Sequence, residues 1–124
     1  MKVLTIRQPW AWAIAHAGKD IENRSWITHY RGPVAIHAGL GRAEISELPR
    51  GVRRPVESEL ISGAIIAVVD LVDIIDTSRS KWFEGDFGWV LKNVKRLRKP
   101  VRCTGRLGLW SPSPSILRRV KEQL

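Results

Sequence analysis

The chain lacks most of the residues that announce a familiar chemistry. Its 124 residues hold one cysteine, Cys103, so no internal disulfide can form, and a thiolate zinc site has no second ligand nearby. No apolar run approaches the roughly 18 residues that span a bilayer, so no membrane partner is expected. The start, MKVLTIRQPW, has neither the apolar core nor the small-residue cleavage site of a secretory signal, which leaves a cytoplasmic location as the expectation. There is no Gly-Lys-Ser/Thr phosphate loop, no His-Glu-x-x-His zinc helix and no Gly-x-Ser-x-Gly elbow, which removes several whole enzyme classes. His16, His29 and His37 lack the spacing of a metal site, so no metal or cofactor is expected. No repeat or low-complexity segment breaks the chain, and its length suits one domain over residues 1–124.

Acidic residues are scarce in one region only. Residues 90–124 carry ten Lys and Arg against Glu122 alone, whereas residues 1–89 hold 11 basic and 11 acidic side chains. The whole net charge of +9 therefore sits in the C-terminal third. A one-signed surface attracts a polyanion by counterion release, and nucleic acid is the commonest cellular polyanion. A solvated basic face that only keeps the protein soluble is the plain alternative.

What is abundant is tryptophan, six residues among 124, and three of the six fall between Leu4 and Gly39 beside a Gly-Lys pair and an Arg-Gly-Pro turn. Val3 to Ile6 reads as a strand that hands over at Gln8-Pro9 to a short helix, Trp10 to Ala17, closed by Gly18. Asp20 to Thr28 alternates as a strand, with Glu22 and Arg24 on one side and Ile21 and Asn23 on the other. Val34 to His37 is a further strand, and Arg42 to Leu48 is expected to be helical. Ser62 to Ile75 is the longest apolar run, and its β-branched content favours a core strand. Asp70 and Asp73 interrupt it, and their odd spacing puts them on opposite faces unless a bulge intervenes. Phe87 to Val94 and Pro100 to Cys103 are strand candidates, and Pro114 to Leu124 a closing amphipathic helix. The class is α+β, mainly β: a small barrel-like sheet of five or six strands flanked by two or three helices.

Four stretches carry a family resemblance: Ile6-Arg7-Gln8-Pro9-Trp10, Gly18-Lys19 with Glu22 and Arg24, Tyr30-Arg31-Gly32, and Gly105-Arg106-Leu107-Gly108-Leu109-Trp110. Together, and in this order, they resemble the ASCH domain family. The resemblance implies a PUA-like β-barrel and an association with RNA or other nucleic acid. Some members are ribonucleases, and one bacterial branch hydrolyses the acyl group of acetylated cytidine nucleosides.

In that amidohydrolase branch a lysine, a threonine three residues on and a later carboxylate form the catalytic set, and the resemblance puts Lys19, Glu22 and Asp70 at those positions. Glu22 departs from the pattern, because a glutamate beside a lysine forms an ion pair or accepts a proton where a threonine would attack as nucleophile. Lys19, Glu22, Arg24 and Asp70 are expected to line one polar cleft, and a structural charge network over Glu22, Arg24 and Asp70 has equal standing. The candidate nucleic-acid contacts are Arg7, Lys19, Arg24, Arg31, Lys92, Lys95, Arg96 and Arg106. Trp12, Trp26 and Trp89 are the candidates for base stacking, with core roles as the alternative, and Trp10 and Trp110 read as structural. The expected function is nucleic-acid binding, with RNA ahead of DNA. The alternatives are a small hydrolase, either a ribonuclease or an amidohydrolase on acetylated cytidine nucleosides, and a non-catalytic module that meets a protein partner.

Overall fold

The computed structural model describes residues 1–124 as six strands in one sheet, with a helix on each face. The strands are β1 (Lys2–Gln8), β2 (Ile21–Arg24), β3 (Gly32–Arg42), β4 (Ala64–Ile75), β5 (Phe87–Arg102) and β6 (Leu109–Trp110). The helices are α1 (Trp10–His16) and α2 (Pro114–Lys121). Strand order is β2-β5-β4-β3-β1-β6, antiparallel except for the β1–β3 pair. No ladder joins β2 to β6, so the barrel is left open at its two edges. No helix is long and apolar enough to cross a membrane.

Burial follows the strand alternation. Leu4, Ile6, Val34 and Ile36 point to the face covered by α1, while Val3 and Ala35 point to the face where Val120 of α2 packs. Because both faces are covered, Ala64 to Val69 is buried without a break, which is why this run shows no polar alternation. Helix α1 is covered on its outer side too: Trp12 and Ala13 pack with Leu48, Leu60 and Trp82. Its alanines, Ala11, Ala13 and Ala15, are buried and let the layers on both sides pack closely. Gln8 holds its start, with Oε1 accepting from the Trp12 amide at 2.7 Å and Nε2 donating to the Ile61 carbonyl at 2.9 Å, and Gln8 itself is fully buried.

Three expectations are corrected. The strand read over Asp20 to Thr28 covers only Ile21–Arg24, and the chain bends from Ser25 on. Arg42 to Leu48 is not a helix: β3 runs on to Arg42 and only a 3₁₀ turn, Ile45–Glu47, follows. With Ile45 and Leu48 as its anchors and Pro49 next, the segment has apolar contacts for a single turn. Phe87 to Val94 and Pro100 to Cys103 are not separate strands either, but parts of the 16-residue β5, with Cys103 just past its end. The β4–β5 register slips at three places, and one slip, between Leu71 and Asp73, is the bulge that the Asp70–Asp73 spacing raised.

Candidate functional site

The open edge of the barrel is where the charged residues gather. Strand β6 pairs with β1 only at Val3 and Leu4, so beyond Leu4 that edge of β1 has no strand beside it. Arg24, at the end of β2, reaches across: its Nη2 donates to the Thr5 carbonyl at 3.0 Å. The same nitrogen lies 3.0 Å from Glu22 Oε2, and Lys19 Nζ lies 2.9 Å from Glu22 Oε1. Lys19 Nζ also donates to the Ile21 carbonyl and stands 5.9 Å from the centre of the Trp10 ring. Both oxygens of Glu22 are thus held by cations. Lys19 is only 2 % exposed and Glu22 is buried with it, so the network is an interior one rather than a surface pair.

Local structure delivers these groups. Gly18 adopts a left-handed φ of 73°, and the Lys19 amide then donates back to the Ala13 carbonyl at 3.1 Å, closing α1 and turning Lys19 inward. Glu22 and Arg24, two apart on β2, share a face. Asn23 faces the other way and fastens the loop before β5, donating to the Trp82 carbonyl at 2.9 Å and accepting from the Glu84 amide at 2.8 Å. That loop supplies Lys81 and Trp82 to a cleft of about 470 Å³, whose other walls include Arg7, Trp10 and the Lys19–Glu22–Arg24 network. Arg7 and Lys81 are exposed and have no carboxylate partner.

Residues 4–101 match the ASCH domain family. The chain belongs to that family. It is also similar to activating signal cointegrator 1 of Homo sapiens, 26 % identical over 138 aligned residues that cover 98 % of this chain and 24 % of the human protein. Activating signal cointegrator 1 of Mus musculus is 27 % identical over the same shares. The chain spans about a quarter of the length of these relatives.

In this ASCH domain the structure brings together Lys19, Glu22, Arg24 and Arg7, and it keeps the other candidates apart from them. Asp70 does not line the cleft: its carboxylate accepts from Asn93 Nδ2 at 2.8 Å, and Asn93 sits at a left-handed φ of 55° in an irregular stretch of β5. That hydrogen bond holds the irregularity, so Asp70 is engaged in the fold. Arg31 donates to the Thr28 and Tyr30 carbonyls, both at 2.8 Å, and so ties down its own turn. Lys92 and Lys95 are exposed on β5 outside the cleft, and Arg96 hydrogen-bonds His16 Nδ1 at 3.1 Å. Arg106 lines a neighbouring cavity with His37. All four ion pairs of the domain lie between Lys19 and Glu59, so the ten cations of residues 90–124 have no carboxylate partner.

The tryptophans divide differently from the sequence reading. Trp12 and Trp89 are buried, and Trp26 packs edge to face on Trp89 at 4.7 Å between ring centres, so these build the core. Trp10, read as structural, is half-buried and lines the cleft; Trp82 also lines it but is itself buried against α1. Trp82 carried no sequence signal, because the loop that presents it is positioned by Asn23 from 59 residues away. No three His, Cys, Asp or Glu side chains gather closely enough to hold a metal ion. Burial pushes the Cys103 thiol up from its ordinary range, partly offset by Arg119, so it is a poor thiolate nucleophile.

Proposed function

We propose that this domain binds single-stranded nucleic acid, RNA in preference to DNA, by laying an unstacked nucleotide in the Trp10–Trp82 cleft. The observation that carries the reading is the composition of that cleft: the half-buried Trp10 indole beside a buried Trp82, and two cations without a carboxylate partner, Arg7 and Lys81, around a Glu22 already neutralised by Lys19 and Arg24, with Glu47 and Glu84 on the same walls. The Trp10 indole, the half-exposed one, can stack on any base, and free cations at the rim meet the phosphates. Lys19, with 2 % exposure, orients Glu22 and Arg24 and leaves direct phosphate contact to Arg7, Arg24 and Lys81. The unpaired basic surface of β5 and α2 supplies the long-range field, and Lys92, Lys95 and Arg96 act there. A closed duplex cannot offer a base to such a cleft, which favours single strands with splayed bases.

The hydrolase alternative gains no support from the site. Both oxygens of Glu22 are held by cations, and Asp70 lies outside the cleft with its carboxylate on Asn93. Titration of fluorescein-labelled single-stranded RNA, single-stranded DNA and duplexes tests the proposal by anisotropy. Single-stranded RNA is expected to bind most tightly, with affinity falling steeply as salt rises and with no cleavage of the probe. Absence of binding to every probe at low salt would leave the basic face to an acidic protein partner.

A further inference from the structure

We propose that the cavity on the far side of the Thr5–Arg24 hydrogen bond is a second nucleotide subsite, which takes the base next to the one held in the Trp10–Trp82 cleft. This subsite rests on the nucleic-acid reading above. The cavity measures about 530 Å³, the size of a small-ligand site, and it shares Thr5 and Arg24 with the first cleft. Adjacent nucleotides of one strand therefore have adjacent places on either side of the barrel's open edge.

Two polar atoms in the lining of this cavity are unsatisfied. They are the buried Arg24 Nε and His37 Nδ1, which lack a partner within the protein. His37 is 1 % exposed, and its Nε2 lies 2.8 Å from the Cys103 carbonyl. A carbonyl only accepts, so Nε2 carries the proton and Nδ1 is left as a bare acceptor. A buried acceptor without a donor is costly, and a ligand N–H removes that cost. Arg24 Nε adds a donor. The Watson–Crick edge of each common base carries an N–H beside a carbonyl or ring nitrogen, which answers both groups.

The walls suit the same occupant. Gly105 lies against the His37 edge: a Cβ there would fall 2.8 Å from Cε1, 3.0 Å from Nδ1 and 2.9 Å from Thr5 Oγ1, so any side chain at this position would displace His37 or Thr5. Leu40 and Leu107 line the cavity at 82 % and 98 % exposure, apolar surfaces that a flat ring can cover. Arg106 stands beside them for the linking phosphate.

The test uses the whole chain and labelled oligouridylates of one to six nucleotides. Probes of two or more nucleotides are expected to bind about tenfold tighter than the mononucleotide. Thr104→Trp places bulk from an exposed wall residue into the cavity, and it should abolish that gain while mononucleotide affinity and Tm stay unchanged. On the unmodified protein, replacing the neighbouring uridine with N3-methyluridine, in which a methyl group takes the place of the ring N–H, should cost a similar about tenfold. If Thr104→Trp and the methylated probe both bind as tightly as their parents, while Arg7→Ala still weakens binding, the subsite is wrong and the cleft stands. If the unmodified protein binds no probe at all, the cleft reading fails and the subsite with it.

Discussion

Arg24 of β2 donates to the backbone carbonyl of Thr5 on β1 at 3.0 Å, across a gap that no strand ladder spans. One side chain thus bridges the two open edges of the barrel, and the same guanidinium is held by Glu22, whose other oxygen is held by Lys19. An unpaired strand edge invites association with another chain, and here it is capped by a charged side chain. The fold's incomplete closure and its candidate binding site are therefore the same place.

The buried network makes an asymmetric prediction. Glu22 is the only carboxylate paired with Lys19, so Glu22→Gln leaves an almost fully buried ammonium without a counterion, and it should cost about 3 to 5 kcal/mol. Lys19→Met should cost less, because Glu22 keeps Arg24. The double variant Lys19→Met/Glu22→Gln should be more stable than Glu22→Gln alone, a coupling that urea denaturation of the four proteins measures. Simple additivity of the two substitutions would mean that these side chains do not act as one network.

Stacking in the cleft separates tryptophans that the sequence treats alike. Trp10→Leu should weaken RNA binding by about 1 to 3 kcal/mol, whereas Trp26→Leu, which removes the edge-to-face packing on Trp89, should lower Tm and leave the affinity of the folded protein unchanged. Parallel thermal melts and anisotropy titrations distinguish the two. Equal weakening of affinity in both variants would move the stacking site away from the cleft.

Much of this arrangement was legible in the residues, and what escaped was set by distant contacts. Gly18 before Lys19 and the alternation of Glu22 with Asn23 and Arg24 are local signals, and Lys19, Glu22 and Arg24 do pair, although without Asp70, the carboxylate expected beside them. Asp70 could not be placed, because the side on which it falls depends on register slips along β4 and β5 and on the left-handed Asn93. Trp10 sits on the apolar stripe of α1, yet Lys19 folds back over its ring, an approach made only after Gly18 reverses the chain. Arg42 to Leu48 has helix-like composition, but the Ala43 amide donates to the Gln8 carbonyl at 2.8 Å and keeps its start beside β1. Tertiary pairing overrides local propensity there.

His16 gives the domain a pH dependence of defined sign. Its ring lies near Trp12, at 6.2 Å between centres, and its Nδ1 faces Arg96; the loss of water around the ring first, and the Arg96 charge second, hold it below the ordinary histidine value of about 6.5. Below that pH the unfolded chain takes up a proton that the folded chain resists, so stability should fall as pH drops from about 7 towards 5.5. Tm measured across this window should decline, and His16→Gln should flatten the decline. A Tm that rises on acidification through the window would reverse the assigned sign.

The central claim is that a nucleic-acid strand occupies the cleft at the barrel's open edge. Arg7 and Lys81 are exposed and unpaired, so the double variant Arg7→Ala/Lys81→Ala should keep its Tm while binding single-stranded RNA more weakly. The most direct measurement is the salt dependence of RNA affinity for this variant beside the unmodified protein. The slope of log affinity against log salt should become shallower by about 0.7 for each phosphate that is no longer neutralised, or about 1.4 for the pair. An unchanged slope and affinity in a folded variant would contradict the account and place the strand elsewhere on the basic surface.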